Sequence, residues 1–530
     1  MRFRLLLCTI PLVFSACSTI DQQGTIAELR NKQIEITDAP LEGGLEKAMS
    51  SYHNFLVEAP DSALAPEAIR RLADLKVEKE YGLLTLDKDQ ADRVPPSALT
   101  AHETALVAGL DPTRRSGLPT GPGESETDFT QRASELQEIE PPGRDTETAL
   151  RGPLDLERAG PLEAIALYRK LLNEYPLYDR NDQVLYQMSR AYEELGRVED
   201  AMTVMNQLVR DYPQSPYIDE VLFRRAEFYF TRRQYLDAEE AYLAIASIGE
   251  SSSFYPFALY KLGWTFYKQE LYEDALDNFI ALLDYKVSVG YDFEQTDDET
   301  ERKRIEDTFR VISLSFSYLG GADIVAEYFS RHGARRYEDL VYSNLGEYYF
   351  DKRRYSDANA TYSAFVMRNP WHFKAPNFQM RIIEINTIGG FPSLVLESKK
   401  AFANSYGLEA EYWDYFDPNE RPGVLTDLKL NLKDLANHYH ALYQNKEIKK
   451  DQPAHFEEAL HWYRELLVSF PQDDDSPAIN YQMADLLLEN HTFDQAALEY
   501  EKTAYEYPSH DKSSTAGYAA VYAYREYLGT

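Results

Sequence analysis

The sequence predicts an all-α fold, namely an α-α superhelical solenoid of stacked helical hairpins with one long disordered insertion near the N-terminus. A pattern of alanines with aromatic or aliphatic residues recurs every 37 residues, and its apolar positions have the spacing of one helix face. The marker alanines are Ala164, Ala201, Ala238 and Ala275, with further ones at Ala358, Ala459 and Ala496. A hairpin of this kind cannot cover its own apolar face, so neighbouring hairpins must stack.

The residues around these alanines resemble tetratricopeptide repeats, which are helix–turn–helix units of 34 residues. One unit supplies Leu185, Met188, Ser189 and Tyr192 on its first helix, then Ala201, Met205, Leu208 and Pro213 on its second. Another supplies Tyr342, Leu345, Gly346 and Tyr349, then Ala358, Tyr362, Phe365 and Pro370. The resemblance implies a solenoid that binds other proteins. The three extra residues per repeat predict a longer loop between units.

The chain opens with the parts of an export signal: two arginines, an apolar run over residues 5–14, and two small residues before Cys17. The run is too short to span a bilayer, which takes about 20 residues. Residues 14–17 are similar to the lipobox of bacterial lipoproteins, with Phe14 where leucine is usual. The resemblance implies that Cys17 carries acyl chains, palmitate among them, and that Ser18 directs the protein to the outer membrane. An ordinary secretory signal is the alternative.

Residues 85–155 differ in composition from the rest of the chain. They contain eight prolines, a single aromatic residue (Phe129) and a net charge of −7 from 14 acidic and 7 basic side chains. Such a segment cannot bury enough apolar surface to order itself, so it is predicted to be disordered. It also interrupts a repeat, which suggests that residues 66–82 pack beside residues 160–175. A plain linker after a small N-terminal helical piece is the alternative.

These observations divide the chain into seven segments. They are a signal peptide (1–16), a tether with an N-terminal helical hairpin (17–84), the insertion (85–155), regular repeats (156–290), partly degenerate repeats (291–410), a loop insertion (411–427), and C-terminal repeats with a capping helix (428–530). Residues 511–530 read as a first helix that stops at its turn. They are either a cap or the point at which a longer protein continues.

The partner-binding groove is predicted from the first helices. In the family that the chain resembles, the second, fifth, ninth and twelfth positions of each first helix line a concave groove. The candidate residues here are Tyr186, Arg190, Phe223, Glu227, Phe230, Phe257, Tyr260, Trp264 and Tyr267. The helix that contains the last four is apolar nearly all round, so either a neighbouring helix covers both faces or the groove presents an aromatic strip to a ligand. Aromatics flanked by glutamates suit a peptide with apolar and basic residues, and also sugars.

Signals of catalysis are scarce. With Cys17 lipidated no thiol nucleophile remains, and no phosphate-binding glycine loop, nucleophile elbow or zinc-protease motif occurs. His438 and His440 lie on different helix faces, so a metal site there is not expected. The formal charge of −33 disfavours nucleic acid as a partner. The chain is therefore predicted to be no enzyme and to need no cofactor.

The functional prediction is an outer-membrane-anchored, periplasm-facing scaffold that recruits other envelope proteins in envelope assembly or transport. Its only link to the membrane would be the lipid anchor. The alternative is a surface glycan- or nutrient-binding lipoprotein, although an insertion almost free of aromatics counts against it. A solenoid enzyme such as a peptidoglycan transglycosylase would need a separate catalytic domain, and no stretch remains for one.

Overall fold

The computed structural model describes residues 43–81, 124–135, 159–293, 295, 298–445, 451–508 and 510–529. The predicted signal peptide and Cys17 lie outside these residues. In the part that is described, regular secondary structure is entirely helical. The chain forms two compact units, one of Met1–Thr85 with Pro153–Tyr178 and the other of Leu86–Gly152 with Asp179–Thr530.

Unit 1 contains a helical pair that is assembled from both sides of the insertion. Numbered in chain order, its helices are α1 (Gly44–Glu58), α2 (Ala65–Tyr81) and α4 (Ala159–Glu174). Helix α2 packs against α4, as the split-repeat hypothesis expects. The contact buries Ala73 of α2 together with Ala164 and Tyr168 of α4, because small side chains let the two helix backbones approach closely.

A buried polar network fastens this split pair. The Arg70 side chain is 1% exposed; its Nη1 donates to Asp74 at 2.7 Å and its Nη2 to Glu67 at 2.7 Å. Tyr168 of α4 donates to the other oxygen of Asp74 at 2.7 Å. Tyr178 donates to Glu67. Burial raises the pKa of Glu67, but hydrogen bonds from Arg70 and Tyr178 outweigh it and lower the pKa to about 2. The Glu67 carboxylate therefore stays charged, whereas burial raises the pKa of Asp74, whose hydrogen bond from Tyr168 ties α2 to α4.

Unit 2 contains α3 (Glu126–Glu135) from within the insertion, followed by helical hairpins in chain order. The hairpins are α5–α6 (Asn181–Glu194, Val198–Asp211), α7–α8 (Ile218–Thr231, Tyr235–Ile248), α9–α10 (Tyr255–Lys268, Tyr272–Ser288), α11–α12 (Glu299–Leu319, Ala322–His332), α13–α14 (Glu338–Asp351, Tyr355–Arg368), α15–α16 (Ala375–Gly389, Pro392–Tyr406), α17–α18 (Pro422–Gln444, Gln452–Ser469) and α19–α20 (Ser476–Glu489, Phe493–Tyr505). Helix α21 (Ser513–Gly529) packs against α20. Short 3-10 segments occupy Gly249–Ser251, Glu411–Asp414 and Pro418–Glu420.

Small residues on the first helices set the close approach within a hairpin. A Cβ added to Gly263 of α9 would lie 2.8 Å from the Phe279 ring of α10. The equivalent Cβ on Gly346 of α13 would lie 2.5 Å from the Tyr362 ring of α14. Glycine at this position therefore leaves the space that the second-helix ring fills.

Several of the described turns between paired helices contain a residue with positive φ. Gly196, Arg233 and Glu270 have φ of 68°, 61° and 63°, and they are 37 residues apart. Arg353 repeats the geometry with φ of 56°, and Gly390 follows it 37 residues later with φ of 74°. The repeat in sequence is thus also a repeat in backbone conformation.

Two segments are more regular than the sequence suggested. The degenerate stretch within 291–410 forms complete hairpins, α11–α12 and α15–α16. The predicted loop insertion at 411–427 is largely 3-10 and α-helical, and α17 already begins at Pro422. Tyr412 is buried against Tyr406 and Phe416, with ring centroids 5.0 and 4.7 Å away. Aromatic packing therefore holds the segment on the protein, whereas its proline and acidic content had indicated a loop.

In the described part of the chain, no individual helix has the length and apolarity needed to cross a membrane. Only the pair α11 and α12, bent by 107°, satisfies that test jointly, by length and composition.

Candidate protein-binding surface

The predicted groove residues lie on the first helices α5, α7 and α9, and most of them are buried. Buried are Tyr186, Phe223, Phe230, Tyr260, Trp264 and Tyr267; half-buried are Arg190, Glu227 and Phe257. What buries them differs from one helix to the next.

On α5 and α7 the candidate aromatics pack against neighbouring elements of the same unit. The Tyr186 ring stacks on Tyr217 with centroids 4.3 Å apart, and its hydroxyl donates to Glu220 of α7 at 2.8 Å. Arg190 lies beside the same Tyr186 ring, at 5.7 Å. Phe223 packs on Phe254 at 5.2 Å. Neighbouring elements of unit 2 therefore cover the candidate aromatics of these two helices.

Glu227 also has partners inside the fold. It accepts a hydrogen bond from Tyr242 of α8 and a 2.9 Å ion pair from Lys261 of α9. Lys261 Nζ in turn lies 4.8 Å from the centre of the Phe230 ring. This carboxylate fastens α7 to α8 and α9.

On α9 the aromatic strip is covered by the chain's own insertion. Helix α3, called the insertion helix below, buries Phe129 and Ala133 completely, and the Phe129 ring lies 5.9 Å from that of Trp264. The expectation of disorder across the insertion therefore fails for residues 124–135. A helix therefore covers this strip, as in the first alternative, but it comes from a distant segment of the same chain.

Three side chains of α9 bind backbone carbonyls of the insertion helix. Tyr260 donates to Ala133 O at 3.0 Å, Lys261 to Ser134 O at 3.2 Å, and Lys268 to Thr130 O at 3.1 Å. Ala133 and Ser134 belong to the last turn of the insertion helix, where carbonyls lack partners within the helix and carry partial negative charge, whereas Thr130 lies earlier in the helix. Lysine and tyrosine donors can therefore bind the C-terminal end of a helix regardless of which side chains the helix carries.

A buried ion-pair cluster fixes the other contacts. Arg132 of the insertion helix binds both oxygens of Asp307 on α11, at 2.9 and 3.0 Å, and both oxygens of Glu124, at 2.8 and 3.2 Å. Arg310 of α11 donates to Glu124 at 2.7 Å and lies 4.0 Å from the centre of the Phe129 ring. Burial raises the pKa of Glu124, but hydrogen bonds and charge from Arg132 and Arg310 outweigh it and lower that pKa.

Tyr318 forms the edge of the site. It is 51% exposed, donates to Glu126 of the insertion helix, and stacks on Tyr272 with centroids 4.9 Å apart. The site that holds the insertion helix is hereafter called the cradle. Its members are Tyr260, Lys261, Trp264 and Lys268 of α9 with Asp307, Arg310 and Tyr318 of α11.

The insertion helix has local signals that the composition of its surroundings concealed. Ser125 caps it, since its Oγ accepts from Asp128 N at 3.1 Å and donates to the Asp128 carboxylate at 2.7 Å. Phe129 and Ala133, four residues apart, then lie on one face. A cap, one apolar pair and a single aromatic were the available signs, and they do not specify where the helix docks.

Within the residues that the structure covers, no group of three His, Cys, Asp or Glu side chains is placed to hold a metal ion. His440 of α17 instead makes a 3.0 Å hydrogen bond to Tyr463 of α18.

A family model for the tetratricopeptide repeat matches residues 161–222. No curated protein matches the chain. Among solved structures, a tetratricopeptide repeat protein from Parabacteroides merdae is similar at 13% identity and a TM-score of 0.25, over 58% of this chain and 100% of that one. The C-terminal part of a TPR repeat-containing protein from Cytophaga hutchinsonii is similar at 14% identity and a TM-score of 0.22, over 56% of this chain and 98% of that one. The TPR2AB domain of yeast Sti1, in complex with pHSP90, is similar at 13% identity and a TM-score of 0.18, over 59% of this chain and 98% of that one.

The family match and the geometry of the hairpins agree. Residues 161–222 contain tetratricopeptide repeats, and the described chain as a whole is an all-α fold of tetratricopeptide-like helical hairpins.

Proposed function

We propose that this protein is a scaffold that binds helical segments of other proteins on the first-helix surface of unit 2. One observation carries the proposal: a helical segment already lies on that surface. It inserts an aromatic ring beside Trp264 and has its last-turn carbonyls bound by Tyr260 and Lys261. These are the features of helix-in-groove recognition, in which an apolar anchor supplies affinity and polar contacts set orientation.

We propose further that the scaffold is anchored to the outer membrane by lipid on Cys17 and faces the periplasm, where it gathers proteins that assemble or transport envelope components. The support is the sequence of residues 1–18 and the strongly acidic composition, which favours basic or mixed partners over nucleic acid.

The glycan-binding alternative has less support, because the segment that lies on Tyr260 and Trp264 is a helix. No other described feature of the cradle favours a sugar over a peptide.

Site-specific photocrosslinking in intact cell envelopes tests the scaffold proposal. A photoreactive residue at Tyr318, at the cradle edge, is expected to give discrete protein adducts. The matched control is Leu236, which is 75% exposed on the second helix α8 and is expected to give none of them. Identical adducts from both positions, or none from Tyr318, would contradict the proposal.

The anchor is tested separately. The substitution Cys17→Ser is expected to abolish incorporation of labelled palmitate and to move the protein from the membrane fraction to the soluble fraction. Labelling and fractionation that are unchanged by Cys17→Ser would show that the anchor proposal is wrong.

A further inference from the structure

The cradle recognises its helix through two kinds of contact. Tyr260, Lys261 and Lys268 bind carbonyl oxygens, which any helix would offer. The remaining contacts depend on side chains. Trp264 meets an aromatic ring, and Asp307 meets an arginine that follows this ring by three residues.

The spacing of these side chains is restrictive. Phe129, Arg132 and Ala133 lie one turn apart on a single helix face, and all three are buried in the cradle. Ala133 is completely buried, so a larger residue at this last position would have to displace its neighbours. Arg310 adds a demand for an acidic group before the helix, because it is paired with Glu124.

We infer that the cradle is a recognition site for an external helical segment of this same chemistry, and that the insertion helix is its internal ligand. The external segment would carry an aromatic residue, an arginine three residues later, a small residue after the arginine, and an acidic residue before the helix begins. This inference rests on the proposed function and specifies the partner of that site.

The short length of the insertion helix supports an exchangeable occupant. Apart from its cap, the insertion helix has only ten residues, too few to be stable alone in water, so its helicity depends on being docked. Its opposite face, with Thr127, Asp128 and Gln131, is exposed. Because docking is intramolecular, it is favoured over an external segment of equal intrinsic affinity. An external segment therefore binds well only where the internal one is absent or weakened.

Fluorescence anisotropy with a labelled peptide of residues 122–137 tests the inference. The protein is the full chain from residue 18, either unchanged or with Phe129→Asp, which prevents its own insertion helix from docking. The peptide is expected to bind the Phe129→Asp protein at least about tenfold more tightly than the unchanged protein, since the cradle is then empty.

Matched peptides identify the contacts. Peptides with Phe129→Ala or Arg132→Ala are expected to bind the Phe129→Asp protein at least about tenfold more weakly, as buried anchors do. The control peptide carries Gln131→Ala on the exposed face and is expected to bind like the unmodified one.

A change in the cradle itself completes the test. In the Phe129→Asp protein, Asp307→Asn is expected to weaken the unmodified peptide yet leave the Arg132→Ala peptide nearly unaffected. Circular dichroism and sizing establish that this protein is folded, and Arg310→Ala, at a more exposed position, provides a second cradle variant.

The inference is overturned if the unmodified peptide does not bind the Phe129→Asp protein, or if its binding is indifferent to Phe129 and Arg132. Crosslinking from Tyr318 in envelopes can still succeed in either case, so failure here is distinct from failure of the scaffold proposal.

Discussion

Helices α9 and α13 are first helices of their hairpins and carry the same Leu-Gly pair, Leu262-Gly263 and Leu345-Gly346. The next residue differs: it is Trp264 in α9 and Glu347 in α13. Trp264 is fully buried beside the insertion helix. Glu347 is half-exposed and binds Arg381 of the following first helix, α15, at 2.7 and 2.8 Å.

The comparison separates the role of the repeat from the role of the site. The position held by Glu347 is held in α7 by Glu227, which likewise binds a basic residue 34 positions later on the next first helix. A carboxylate at this position forms an ion pair with the next hairpin, so its role is to stabilise the stacking of repeats. A tryptophan at the same place cannot form that ion pair and exposes an apolar surface instead, which a helix must cover. In the cradle, the repeat position that elsewhere holds an ion-pairing glutamate holds Trp264, which contacts the insertion helix instead.

The largest expected effect comes from truncating the two residues at this position. Trp264→Ala is expected to cost about 3–5 kcal/mol in the free energy of unfolding, because it leaves a cavity beneath the insertion helix. Glu347→Ala removes a half-exposed ion pair and should cost about 1 kcal/mol. Denaturant unfolding followed by circular dichroism measures both, and equal losses would show that the two positions do not differ as described.

Substituting the shared glycine probes the part of the hairpin that the two regions have in common. Gly346→Ala and Gly263→Ala are each expected to cost about 1–3 kcal/mol, since the new Cβ would meet the ring of Tyr362 or Phe279. Gly346→Ala should cost more, because its contact is closer and Tyr362 is also bonded to Glu347. Gly423→Ala in α17 is the control: no heavy atom lies within 4 Å, and the thermal midpoint should not fall.

Acid should release the insertion helix through Glu124. Because docking lowers the pKa of this carboxyl below its usual 4.5, its contribution is complete above that pH. The contribution is lost as the pH falls below 4.5 and through the lowered pKa. The chain from residue 18 contains no cysteine, so Thr127→Cys accepts a spin label on the exposed face of the insertion helix.

The label at residue 127 is expected to become more mobile as the pH falls through that range, and Glu124→Gln should flatten the response. A label at Met367→Cys, 82% exposed on α14, reports acid unfolding of the hairpins themselves. If both labels become more mobile over the same pH range, the whole protein is unfolding, and a specific role for Glu124 is contradicted.

The smallest effect should be the same in both regions. Glu270 lies in the turn between α9 and α10, and Arg353 lies in the turn between α13 and α14; both have positive φ. Glycine adopts that conformation without the Cβ penalty, so Glu270→Gly and Arg353→Gly are each expected to stabilise by up to about 1 kcal/mol. The reverse change, Gly196→Ala, should destabilise by a similar amount. Calorimetric midpoints measure these shifts, and a loss of stability in either glycine variant would refute the turn argument.

Much of the hairpin architecture could be predicted because it is encoded locally. The 37-residue period located Ala201, Ala238 and Ala275, all of which are completely buried on second helices. The same pattern located Gly346 at a close approach of two helices. Even the split pair in unit 1 could be anticipated, because each half kept its own repeat signature.

The candidate site was predicted only in part. Positions on the first helices identified Tyr260 and Trp264, but nothing in their neighbourhood named the segment that covers them. Arg132 and Asp307 are 175 residues apart and show no motif. The loop prediction for residues 411–427 failed for a different reason: Tyr412 packs on the nearby rings of Tyr406 and Phe416, and this local aromatic contact has no helical periodicity that the sequence would show.

The sequence by itself determined the period, the helix faces and the positions where small residues permit close packing, since each depends on neighbours within one repeat. Only the tertiary structure decided which surface is occupied, because the insertion helix is too short to be stable alone and owes its order to the cradle. Its order and its location are therefore properties of the folded protein, because a cap and one apolar pair in an acidic stretch do not specify where the helix docks.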